Sequence, residues 1–163
     1  MKNITIFALM AALLICGLGR VSAQEKNQDE KRIAQKVQEI LDSRSFEIEV
    51  DYMMPLRGGA EVLSGTYSVS VKDEKLNSYL PYKGQARSIP YGGGNGLNFE
   101  ATIDEYTDKG FKKDSREIQI KVQDDGDSYV YVITVYDNGR ADIFVQSRNR
   151  DDISFRGNLN IPE

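Results

Sequence analysis

The chain of 163 residues has no histidine, no tryptophan, a single cysteine and only four prolines. Each absence narrows its chemistry. With no imidazole and one thiol, Cys16, there is no Ser-His or Cys-His nucleophilic pair and no thiolate or imidazole zinc site. A Ser-Lys arrangement is formally possible, but no serine sits in a sharp glycine-flanked elbow. Positive charge is also short, at 21 Lys and Arg against 25 Asp and Glu with no basic stripe, which excludes nucleic acid as the expected partner. The longest apolar run, Ile4 to Ile15 broken by Thr5, is about a dozen residues, well below the roughly 20 that cross a bilayer.

That run has a different use. Lys2 precedes it, and the small residues of Gly17 to Ala23 follow, ending Val21-Ser22-Ala23 ahead of a charged stretch. This is the layout of a secretory signal peptide, residues 1–23, cut after Ala23. The rival reading, lipidation at Cys16, fits poorly because Ile15 occupies the slot where a small residue is needed. Removal of Lys2 and Arg20 leaves 19 basic against 25 acidic residues, a net charge of −6. The exported chain then has no cysteine and must be stable without disulfides. Its length suits a single domain, residues 24–44 supplying a helix and residues 45–163 an antiparallel β domain that folds with it.

In the helical stretch the apolar positions Ile33, Val37, Ile40 and Leu41 fall at i, i+4, i+7 and i+8, the stripe of an amphipathic helix. Asn27 and Glu30 have capping-box spacing. After Ser45 the period changes to two: Phe46, Ile48, Val50 and Tyr52 alternate with Glu47, Glu49 and Asp51. Tyr67, Val69 and Val71 make a second strand. Leu76 to Tyr82 reads as a short edge strand, because Pro81 cannot donate to a ladder. Leu97, Phe99, Ala101 and Ile103 alternate next.

The last third is a meander. Ile118 to Val122 runs into Asp125-Gly126, Ser128 to Tyr136 into Asn138-Gly139, and strands around Ala141 to Val145 and Ile153 to Ile161 follow. The strand Tyr129 to Tyr136 is apolar on both faces, which predicts that the N-terminal helix covers its outer side. The fold class is α+β, mainly antiparallel β, with an N-terminal amphipathic helix on a seven- to eight-stranded meander. So many strands must curl or split, and curled sheet, barrel and sandwich stay open on sequence grounds.

Few residues point to a site. The acids Glu47, Glu49, Asp51, Glu100, Asp104 and Glu105 occupy the polar phase of their strands or lie just beyond a strand end. A hydrolytic pair would need two acids facing each other across a cleft. Asp124-Asp125-Gly126-Asp127 is explained by a hairpin turn rather than a calcium loop. Arg140, Arg148, Arg150 and Arg156 are interleaved with Asp142, Asp151 and Asp152, a mixed solvated surface. The unusual segment is Tyr82 to Gly96, which ends in four glycines and one asparagine. It lacks the helix start and Lys-Ser pair of a phosphate loop. Its mechanical reading is a bend built on glycine backbone angles. Its functional reading is a ligand- or partner-contacting loop of Tyr82, Tyr91, Gly92, Gly93, Gly94, Asn95 and Gly96.

The run Ser78-Tyr79-Leu80-Pro81-Tyr82-Lys83-Gly84-Gln85-Ala86, with Pro90-Tyr91-Gly92-Gly93, Gly96 and Phe99, resembles the core signature of an exported Bacteroidota family catalogued as domain of unknown function 4251. Asn138-Gly139, Arg148-Asn149-Arg150 and Ile153-Ser154-Phe155-Arg156-Gly157 fit the same layout, so the resemblance spans about Phe46 to Ile161. It implies a periplasmic envelope protein with a helix and a β-rich domain, and no reaction, catalytic residue or ligand. The expectation is a non-enzymatic binding module for a small apolar or amphipathic ligand, without cofactor or metal. The alternative is a protein-interaction or inhibitor module of the envelope.

Overall fold

The computed structural model describes residues 28–85 and 96–162; the leader 1–23 and Asn27 lie outside them. One helix, α1 (28–42), precedes nine strands. These are β1 (Phe46–Pro55), β2 (Glu61–Val62), β3 (Ser68–Lys72), β4 (Lys75–Pro81), β5 (Gly96–Lys112), β6 (Ser115–Asp124), β7 (Asp127–Tyr136), β8 (Arg140–Ser147) and β9 (Ile153–Leu159). All pairings are antiparallel, and strands β3 to β9 follow one another as neighbours in the sheet.

The sheet closes on itself. One edge of β1 pairs with β3 and the other with β9, from Ile48 opposite Leu159 to Pro55 opposite Ile153. The result is an eight-stranded barrel, with β2 as a short extra strand on β1. Barrel is therefore the outcome among the three curled forms. The inward phase of the eight barrel strands is mainly apolar and buried, including Ile48, Val69, Leu80, Ile118, Tyr131, Ile143 and Phe155. Closure depends on a local device: the β1 register shifts at Asp51, and Gly157 of β9 stands opposite Val50 beside this bulge. A Cβ on Gly157 would lie 1.9 Å from the Glu49 carbonyl oxygen. Only glycine lets the two strands approach so closely.

The turns follow the dipeptides that encode them. Asp125 and Gly126 both have positive φ, 46° and 78°, in the two-residue β6–β7 turn. The β7–β8 connection has three residues, Asp137 to Gly139, and only Gly139 takes the left-handed conformation, φ 83°.

Three expectations need correction. First, β4 is no edge strand: it pairs with β3 on one side and β5 on the other. Pro81 is tolerated because it is the last residue of β4. Second, β5 runs to Lys112, past the end of β4, with register shifts after Ile103 and Asp108 that interrupt the simple alternation. Third, α1 does not cover the outer face of β7. Val130 and Val132 there stay partly exposed, and Phe144 opposite Val132 is exposed. Instead Val37 and Leu41 of α1 are fully buried in the same cluster as the inward barrel residues.

The helix thus seals one end of the barrel. Its contacts are with the strand ends gathered there: Lys36 Nζ donates to the Pro162 carbonyl at 3.0 Å, and Arg116 Nη1 at the start of β6 donates to Asp42 Oδ1 at 2.5 Å. Arg116 also grips Asp108 of β5 through Nε, 3.0 Å from each carboxylate oxygen, and through Nη2. The helix ends at Ser43, whose Oγ donates to the Ile40 carbonyl, and at Arg44, which adopts φ 53° and stacks over the Tyr106 ring.

Candidate functional site

At the end covered by α1, surface clefts of about 410 and 290 Å³ remain beside Phe46, Val71, Ile103 and Tyr106; the opposite mouth is the end where the segment after β4 meets the β8–β9 connection. Pro55, Pro81, Gly96, Asp124, Asp127, Ser147 and Ile153 mark its rim. The interior below is filled: Tyr131 and Phe155 are fully buried, and the Tyr131 hydroxyl donates to Ser78 Oγ, which donates to the Leu97 carbonyl. Burial raises the Tyr131 hydroxyl above its ordinary range and pushes Tyr129 up to about 12. Three residues in from Gly96, Phe99 is partly exposed, stacked on Tyr129 at 4.9 Å and edge-on to Tyr131 at 6.4 Å. These rings form an aromatic floor.

The segment after β4 reaches across this mouth. Tyr82 Oη donates toward the carbonyls of Gln85 (3.1 Å) and Asp151 (3.2 Å). Gln85 N donates to Asp151 Oδ2, and Asp151 N donates back to the Gln85 carbonyl at 3.0 Å. Asp151 belongs to the β8–β9 connection, on the far side of the barrel from β4 in strand order. Arg150 completes the clasp: its guanidinium lies 5.3 Å from the Tyr82 ring centroid, and Nη1 donates to the Gly96 carbonyl at 3.0 Å. One cation therefore holds both described ends of the β4–β5 connection. Lys83 adds a tie to Glu61 of β2.

The glycine logic differs from expectation. Gly96 does not have positive φ; its missing side chain makes room, since a Cβ would lie 2.6 Å from the Leu80 carbonyl oxygen. Gly84 serves Tyr82 in the same way, because a Cβ there would stand 2.5 Å from the Tyr82 hydroxyl. The Tyr-x-Gly spacing is thus a steric requirement of the clasp.

Of the seven residues singled out by sequence, Tyr82 and Gly96 are brought to the mouth. Tyr91, Gly92, Gly93, Gly94 and Asn95 lie outside the described residues. Sequence reasoning missed Arg150, Asp151, Gln85 and Phe99. Arg150 and Asp151 were grouped with a solvated surface, and nothing local signals that they meet a tyrosine nearly 70 positions earlier. The six candidate acids do not converge. All are exposed on the barrel's outer side: Glu100 pairs with Lys75, Glu105 with Lys121, Asp104 accepts from Gln123, and Asp51 accepts from Asn158. Asp127 is buried and structural, accepting from Ser128 N and from Ser147 Oγ. Among the described residues, no group of acids is placed to hold a metal ion, and no helix is long and apolar enough to cross a membrane.

The fold and mouth define a class: a small antiparallel β-barrel plugged by its N-terminal helix at one end and clasped at the other. The chain belongs to the DUF4251 family, a domain of unknown function, whose profile matches residues 27–159. A solved DUF4251 family protein from Bacteroides eggerthii DSM 20697 is similar, with a TM-score of 0.60 and 17% identity over 78% of this chain and 86% of that one. That likeness extends to the fold. No curated protein matches the chain.

Proposed function

We propose that this protein is a non-enzymatic binding module, exported through a cleaved signal peptide to the periplasm, that holds a small apolar or amphipathic ligand at the clasped mouth. The observation that carries this reading is Phe99, an inward-facing aromatic left partly exposed, braced by Tyr129 and three residues from Gly96, whose carbonyl accepts from Arg150 of the clasp. An aromatic floor with a few polar groups at its rim suits an apolar body with a polar end. The filled interior counts against a ligand held inside the barrel, so the reading is confined to the mouth. The scattered, outward acids favour binding over hydrolysis.

Native mass spectrometry of protein purified from its own envelope fraction tests this reading. The expected result is a retained small mass that is lost on Phe99→Ala. A bare protein mass, with no uptake of added dodecanol, contradicts it.

A second reading, a protein-interaction or inhibitor module, is favoured by the corner at β2. There Val62 is 73% and Leu56 64% exposed, next to exposed Tyr52, the register partner of Val62. Reproducible recovery of one envelope protein, lost on Val62→Asp, is the result that would put this reading first.

A further inference from the structure

We infer that the outer face of β3, β4 and β5 is a binding surface for a neutral saccharide chain, separate from the mouth. Val69, Val71, Leu76, Ser78, Leu80 and Leu97 are buried, so the residues between them point outward. The registers align these into two adjacent rows: Ser68, Tyr79 and Asn98 stand side by side, and Ser70, Asn77 and Glu100 stand next to them. Cross-strand neighbours in such rows are about 5 Å apart, close enough to engage one sugar ring together.

The chemistry of the rows is specific. Tyr79 is 52% exposed, yet its ring is held in place by stacking on Tyr67 at 5.6 Å and 23°. A fixed aromatic face bearing a negative quadrupole suits the C–H face of a pyranose ring. Asn77 and Asn98 each offer a donor and an acceptor, as do Ser68 and Ser70, which is what sugar hydroxyls require. Among the described residues these four side chains are not engaged in hydrogen bonds with one another or with their neighbours. The formal charges are balanced, since Glu100 is paired with Lys75 at 2.7 Å. A shallow groove of about 310 Å³ continues the surface over Ser70, Asn77 and Glu100, and its other lining residues, Lys72, Asp73 and Lys75, bring its cations and carboxylates to two of each. On the β1 side the registers continue both rows with acids, Glu49 opposite Ser68 and Glu47 opposite Ser70, an edge that disfavours anionic glycans.

Affinity electrophoresis of the purified protein through gels containing dextran, laminarin, galactomannan or xyloglucan, with polygalacturonate as the anionic comparison, tests the inference. The expected result is retardation by at least one neutral polysaccharide, insensitive to salt. Affinity should fall about tenfold or more in Tyr79→Ala, persist in Tyr79→Phe and weaken in Asn77→Ala. Circular dichroism establishes that each variant is folded; if Tyr79→Ala is not, Asn77→Ala decides. Retardation by no neutral polysaccharide, by polygalacturonate alone, or equally in the folded variants overturns it.

Discussion

Gly157 shows how much one missing side chain can decide. In the sequence it is simply the inward member of an alternating strand, between Phe155 and Leu159. In the barrel its absent Cβ lets β9 meet the bulge of β1, with the Glu49 oxygen where the methyl would go. Gly157→Ala should destabilise the protein by about 3 kcal/mol. That corresponds to a loss of roughly 6 to 12 °C in melting temperature for a chain of this size, measurable by calorimetry. Gly84 and Tyr82 form a weaker case at the mouth. Tyr82→Phe removes a hydroxyl shared between two carbonyls and should cost about 1 kcal/mol. Gly84→Ala should produce a similar loss by displacing the same hydroxyl, and the double variant should cost little more than either single one. Clear additivity in denaturant titrations would contradict this coupling. The Tyr-x-Gly signature was legible as a motif; its steric reason was not, because the atom that excludes a side chain at residue 84 belongs to a folded-back ring.

At the scale of elements, the helix stripe was legible but its destination was not. Val37 and Leu41 fit the outer face of β7 as well as they fit the barrel end when only periodicity is considered. The deciding information is long-range: Arg116, at the start of β6, reaches both Asp42 and Asp108. Arg116 is nearly buried and holds the Asp108 carboxyl below its ordinary value, chiefly through hydrogen bonds. Arg116→Ala should cost about 3 kcal/mol, because it strands Asp108 against the barrel end. Asp42 is 68% exposed, so Asp42→Asn should cost under about 1 kcal/mol.

The pH dependence follows from the same group. A depressed aspartate contributes stability that is complete above its unfolded pKa of about 3.9 and is lost as pH falls through its lower folded value. Acid titrations of stability should therefore be steeper below pH ~4 in the parent than in Asp108→Asn. Equal slopes would show that this carboxylate is not tied to the helix anchor. The β strands themselves were the most legible elements, since inward residues alternate without exception in β3, β4 and β7. Where a bulge resets the phase, as in β5 beyond Ile103, the pattern no longer marks the strand and its end was missed.

For the whole molecule, meander order and strand count were readable, but closure was not. No local feature of β1 or β9 announces that the first and last long strands pair. Closure creates two unlike ends. One is filled by Val37 and Leu41 with the Arg116 anchor; the other carries Phe99 under a clasp between connections that sequence placed far apart. The acids fall outside, and at the mouth the partly exposed Phe99 lies close in sequence to the polar groups of the clasp.

The central claim is that the helix end is closed and the clasped mouth is the ligand-binding end. Methyl NMR of Ile, Leu and Val side chains during titration with dodecanol tests it most directly. Shifts concentrated at Leu80, Leu97 and Ile153 near the rim, with Val37 and Leu41 unmoved, are the expected result. Shifts centred on Val37 and Leu41, or none at any methyl, would contradict it.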